Sequence, residues 1–174
     1  PPPAPVLTPL RPGGNLTRIL LHAEPGWPPR VGITRAHNVS VRLERDPSAA
    51  PTLPSELVLE GLSPNASLMT SSADGTLLEL QGLHVVLRGL QLRGHVRVTA
   101  PATLHVHNCS FLGGWPNPLN RSALHLASAS HLLSAEIEDA RFLSLPGGGL
   151  HLSGDATDVR PRHAAVASVR ARVF

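Results

Sequence analysis

The strongest constraint on what this chain can fold into is a six-residue phrase that returns along it. Its clearest form is Val106-His107-Asn108-Cys109-Ser110-Phe111, which reads apolar, polar, turn residue, apolar, polar, apolar. Further copies are Ala36-His37-Asn38-Val39-Ser40-Val41, Leu59-Glu60-Gly61-Leu62-Ser63-Pro64 (imperfect at its last place), Leu87-Arg88-Gly89-Leu90-Gln91-Leu92, Ile137-Glu138-Asp139-Ala140-Arg141-Phe142 and Val166-Ala167-Ser168-Val169-Arg170-Ala171. The third place is held by Asn38, Gly61, Gly89, Asn108, Asp139 and Ser168. Gly, Asn and Asp accept positive φ at least cost, so the phrase describes two short strand pieces joined by a left-handed corner. A degenerate phrase with its corner at a fixed place points to stacked coils of one solenoid.

Between successive copies lies a second set of strand-like segments: Leu77-Leu78-Glu79-Leu80, His95-Val96-Arg97-Val98, Ala123-Leu124-His125-Leu126 and Leu150-His151-Leu152-Ser153. Copies are spaced 19 to 31 residues apart, so the shortest gap is a bare coil of three strands and the longer gaps carry loops. Alternate residues of a strand point inward. Three internal columns follow: Leu87, Val106, Ile137 and Val166; Leu90, Cys109, Ala140 and Val169; Leu92, Phe111, Phe142 and Ala171. Outward, Glu79 is expected beside Arg97, and His125 beside His151. The fold expected is all-β, a parallel β-helix of about six coils. An antiparallel β-sandwich is the rival, but it needs tight hairpins between neighbouring strands.

The chain opens on a Pro- and Gly-rich segment, residues 1–14, which reads as a flexible leader or linker. The β-helix domain is expected over 15–174, with a cap beyond Phe174 or the last residues folded over the end. An uncapped end exposes backbone groups and invites self-association. The first coil runs strand (Arg18–Ala23), Pro-Gly turn with an aromatic (Glu24-Pro25-Gly26-Trp27-Pro28-Pro29), strand (Arg30–Thr34), then the Ala36–Val41 phrase. This order resembles the opening coil of right-handed parallel β-helix proteins of the pectin-lyase-like superfamily, including its carbohydrate-binding and sugar-hydrolase members. The resemblance covers about residues 18–174 as pattern. It implies a right-handed helix and a carbohydrate-related role. Residues 43–56 and 63–75, rich in Pro, Ser, Asn and Gly, read as loops between coils.

Compartment is indicated by asparagine. Five of the six Asn stand in N-x-Ser/Thr: Asn15, Asn38, Asn65, Asn108 and Asn120. Chance would place about one such sequon here, so a glycoprotein of the secretory pathway is expected, secreted or on the outer face of a membrane. No run approaches the length of a membrane span. All 15 basic residues are Arg, scattered along a chain of net charge +3 with 3% aromatics, which argues against a nucleic-acid surface. The lack of Tyr and the few aromatics leave Leu, Val, Ile and Ala to build the core.

Motifs for chemistry are sparse. Sugar hydrolysis on such a scaffold needs two carboxylates roughly 5–10 Å apart, but Asp46 and Asp74 fall in loops and Asp139 at a corner. Asp155 and Asp158 lie in a short calcium-like loop that lacks ligands. The acid pairs and basic signatures of the catalytic members are absent, and no serine-hydrolase elbow or phosphate loop occurs. No enzyme activity and no cofactor are expected. Ten histidines raise zinc, yet only pairs emerge, His105 with His107 and His125 with His151, so no metal site is expected. Stacked histidines would also lose stability if protonated together. Cys109, the sole cysteine, falls on an inward place as an inert thiol, pairing with a second chain being the alternative. Trp115, in the Gly- and Pro-rich loop 112–122, is the candidate for stacking on a sugar or anchoring a partner; it could equally fold back over the coil. The expectation is a non-catalytic extracellular module that binds glycan or protein, or a rigid adhesion or receptor scaffold. The alternatives are an unrecognised polysaccharide lyase or hydrolase, and a structural spacer of a larger surface or viral glycoprotein.

Overall fold

The computed structural model describes residues 17–21, 30–45, 56–82, 84–99, 102–128, 133–154, 157–162 and 165–166. Among them every regular element is a strand, and the strands come in threes. The first coil holds β1 (Thr17–Leu21), β2 (Arg30–Ile33) and β3 (Ala36–Val39); the second holds β4 (Val41–Arg45), β5 (Glu56–Gly61) and β6 (Ser67–Thr70). The third holds β7 (Thr76–Gln81), β8 (His84–Arg88) and β9 (Gln91–Arg93); the fourth, β10 (His95–Thr99), β11 (Ala102–His107) and β12 (Ser110–Leu112). The fifth holds β13 (Leu124–Ser128), β14 (Leu133–Glu138) and β15 (Arg141–Leu143); the sixth, β16 (Leu150–Gly154), β17 (Thr157–Arg162) and β18 (Ala165–Val166). Each strand pairs, in parallel, with the strands three places before and after it. This gives three six-stranded sheets: sheet A from the first strand of every coil, sheet B from the second and sheet C from the third. The parallel β-helix is therefore the architecture, and the antiparallel sandwich is not.

Period and burial agree along the middle coils. Leu59, Leu87, Val106 and Ile137 pair in line and are at most 1% exposed. Ala66, Leu90, Cys109 and Ala140 form the next column, with the backbone N–H of Gln91, Ser110 and Arg141 donating to the carbonyls of Ala66, Leu90 and Cys109. Leu68, Leu92, Phe111 and Phe142 form the third, capped by two parallel rings with centroids 4.7 Å apart. Sheet A adds Leu78, Val96 and Leu124 in line, so one apolar core runs through the coils. Between the first two columns lies the corner. Gly89, Asn108 and Asp139 take φ of 63°, 50° and 51°, the left-handed backbone that the phrase requires. At Gly61 the limit is space: a Cβ there would lie 2.1 Å from the carbonyl oxygen of Gly89.

The phrase is out of step at both ends of the chain. Val31, not Ala36, stands beside Leu59 at the first place, and Ala36 pairs with Ser67 inside sheet C. Asn38 is thus an exposed mid-strand residue of β3, not a corner equivalent to Asn108. In the sixth coil Pro161 stands beside Ile137, and Val166 beside Phe142, so Val166 belongs to the third column. The rest of the Val166–Ala171 copy, including Val169 and Ala171, lies outside the described residues. Both copies are read one strand too late, because period-two alternation looks the same on either side of a corner. In the second coil the first three places hold, but residues 62–65 are an insertion and Ala66 takes the fourth place. Residues 63–75 are consequently not all loop: they contain β6, and β4 and β5 likewise reach into 43–56. The expected leader over 1–14, Asn15 and the chain end after Val166 lie outside the described residues.

Candidate functional site

With the core inside, function falls to the outer faces. Sheet A carries a column of Arg42, Glu79, Arg97, His125 and His151, one from each successive coil. Arg42 is tied to Glu79, its Nε donating to Oε2 at 2.6 Å. A register shift between His95 and Val96 leaves Leu77 without a partner across the sheet. Such a bulge re-aims a side chain, and here His95 is buried and its Nδ1 lies 2.6 Å from the Ser122 carbonyl oxygen. The His95 and His125 ring centroids are 6.0 Å apart; those of His125 and His151 are 4.7 Å apart, edge to face. Burial, then the neighbouring His151, Arg97, His95 and Arg121, push His125 down to about 4. Burial also lowers His95, outweighing its bond to Ser122. Both imidazoles are therefore neutral at neutral pH.

The loop 113–122 closes this face. Trp115 is only 9% exposed and folds back over the coil, its ring lying on Gly75, where a Cβ would come within 2.5 Å of Cζ3. Of the two placements open to Trp115, this is the inward one. Asn117 braces the loop: its Oδ1 accepts from the Arg121 N–H at 2.7 Å and its Nδ2 donates to the Arg121 carbonyl at 2.8 Å. Arg121 Nη1 then reaches Thr76 Oγ1 at 3.0 Å and Asp74 Oδ2 at 3.5 Å. Burial alone would raise Asp74, but bonds from Ser72 and from the Thr76 N–H and hydroxyl, with the Arg121 charge, bring it down to about 2. Asp74 is thus a structural anion in a turn.

Sheet B is the more richly ionisable face and bears an open groove of about 640 Å³. On it His105 Nδ1 lies 3.4 Å from Glu136 Oε2, and His107 Nδ1 lies 3.3 Å from Glu138 Oε2. Arg88 Nη1 is 3.6 Å from Glu60, and His84 meets the Thr103 hydroxyl. His105 and His107 do face outward together, as their spacing requires, but their carboxylate neighbours one coil on were not legible in the sequence. Phase between coils alone brings Glu136 and Glu138 beside them. Those two acids stand roughly 6.6 Å apart along one strand. Both are half-buried and each faces an imidazole.

Three of the four described sequons lie on or beside sheet C; the fourth, Asn120, lines the groove on sheet A with Arg97 and His125. Asn38 lies in β3; Asn65 and Asn108 each precede a sheet C strand by two residues; Asn120 lies in the loop after β12; all four are exposed. At Asn108 the left-handed corner turns the side chain outward, so it is not part of an internal asparagine ladder. Of the large apolar residues most exposed among the described ones, Met69 and Leu143 lie in sheet C, Leu62 lies over Gly32 of sheet B, and Leu119 lies on the loop that closes sheet A. Met69 is the register partner of Asn38, Leu119 adjoins Asn120, and Leu62 shares an insertion with Asn65.

Cys109 is buried, and burial pushes its thiol up to about 11 against the opposing effect of backbone bonds. No helix among the described residues is long and apolar enough to cross a membrane. No family model, curated protein or solved structure matches the chain.

Proposed function

We propose that the chain is a non-catalytic extracellular glycoprotein module, a right-handed β-helix of the pectin-lyase-like kind. N-glycans on Asn38, Asn65 and Asn108 stand on or beside sheet C, that on Asn120 stands at one end of sheet A, and sheet B with the Arg42 end of sheet A is presented to glycan or protein partners. One observation carries this reading: the four described sequon asparagines are all exposed, and three of them, Asn38, Asn65 and Asn108, lie on or beside the sheet that also bears the exposed Met69 and Leu143, while Asn120 lines the groove on sheet A. Sugars on the first three would cover a surface that water solvates poorly and leave sheet B open. The half-buried acids of sheet B, each held by a histidine, suit recognition better than hydrolysis.

Expression through a eukaryotic secretory pathway, followed by glycosidase treatment and glycopeptide mapping, tests the compartment. Secretion with sugar on Asn38, Asn65, Asn108 and Asn120 is expected; secretion with all four bare would refute the reading. A glycan array probed with the glycosylated protein tests the role. Binding lost in Arg97→Ala supports recognition through sheet A, and absence of any binding favours a spacer. Release of reducing ends from an acidic polysaccharide would reinstate the lyase or hydrolase alternative.

A further inference from the structure

On sheet B, β11 and β14 lie in register, so His105-Val106-His107 stands directly beside Glu136-Ile137-Glu138. The central residues, Val106 and Ile137, face the core, and the flanking ones face out. In a continuing strand Asp139 would point opposite to Glu138. The left-handed corner at Asp139, with φ 51°, instead leaves its side chain exposed on the same edge. One imidazole nitrogen and two carboxylate oxygens, from His107, Glu138 and Asp139, thus come within 4.8 Å of one another. A tetrahedral ion with bonds of about 2.0–2.1 Å to imidazole and carboxylate sets its ligand atoms roughly 3.3 Å apart. The separation of His107 Nδ1 from Glu138 Oε2 is 3.3 Å. The third donor, an oxygen of the exposed Asp139, lies within that same 4.8 Å.

We propose that His107, Glu138 and Asp139 bind a divalent transition-metal ion of the zinc class on sheet B. The mixed nitrogen and oxygen donor set selects zinc over magnesium and calcium, which prefer oxygen alone. Three protein ligands leave a fourth position for water or for a group from a partner, which would make the ion an adaptor between this face and its ligand. The sequence shows only the histidine pair; the carboxylates arrive from the next coil, 31 residues on between His107 and Glu138.

The test is calorimetric titration of Zn²⁺ into the untagged, glycosylated full chain after EDTA treatment, with thermal unfolding in parallel. One saturable site per chain and a raised unfolding midpoint are expected. His107→Gln and Asp139→Asn should each weaken binding by more than about tenfold, the loss seen when even an outer-shell partner of a metal is removed. Asp139→Asn keeps the fold, because Asn108 holds the same corner one coil earlier at φ 50°; it decides the matter if His107→Gln fails to fold. His125→Gln, on the opposite sheet, should bind as the unaltered chain does. Absence of saturable Zn²⁺ binding, unchanged affinity in Asp139→Asn, loss of binding in His125→Gln, or displacement by equimolar Ca²⁺ would each overturn the proposal.

Discussion

His125 shows how a single residue acquires chemistry from its coil neighbours. Alone on a strand face it would titrate near 6.5, but burial and the facing His151, Arg97, His95 and Arg121 bring it to about 4. The folded state then binds fewer protons than the unfolded chain between those values, so stability rises with pH in that window. The contribution is intact above about pH 6.5, falls as the pH drops, and levels off near 4. We expect the thermal midpoint to decline from pH 7 to 4.5 and His125→Gln to flatten the decline; parallel profiles for both proteins would remove His125 as the cause. Cys109 makes a second residue-scale prediction. With its thiol raised to about 11 and 1% exposed, it should resist alkylation in the native protein and react after denaturation, as mass spectrometry would show. Phe111→Ala, which removes one ring of the stacked pair in the core, should cost about 3–5 kcal/mol in denaturant unfolding.

The element that matters most outside the sheets is the loop 113–122, whose packing the sequence left open between two outcomes. Trp115 lies inward, yet its Nε1 is buried without a hydrogen-bond partner among the described residues. An orphaned donor is costly, and removing it can be neutral or better. Trp115→Phe should therefore retain or slightly raise the unfolding midpoint, whereas Trp115→Ala should lower it by the loss of the ring's packing on Gly75. The anchor at the other end of the loop is Arg121 on Asp74 and Thr76. Asp74→Asn should speed amide exchange across residues 113–122 while leaving the sheet strands protected, a pattern that hydrogen-exchange mass spectrometry resolves. Neither anchor is written in the repeat. Gly75 and Trp115 are 40 positions apart, and Asp74 meets Arg121 at a separation of 47, so only coil stacking brings them together.

For the whole molecule, the three faces divide the work. The apolar side chains exposed on the sheet C side should make the bare protein self-associate; enzymatic removal of its sugars should raise the apparent mass in multi-angle light scattering, and unchanged monomer would count against a shielding role. What the sequence by itself determined is the period. Apolar alternation and a Gly, Asn or Asp corner repeat along the chain, and only a parallel solenoid returns that phrase in one sense. The middle copies could be placed because their corners demand positive φ, which few residues accept. The copies at Ala36 and Val166 slipped by one strand because no such residue marks the true corner in the first coil, where Ile33 stands beside Gly61. What only the tertiary structure decided is which residues of different coils become neighbours. Loops of unequal length set that phase, so His107 meets Glu138, Trp115 covers Gly75 and Asn120 comes to line the groove on sheet A. These neighbours come from the stacking of one coil on the next, which the phrase within any single coil does not encode.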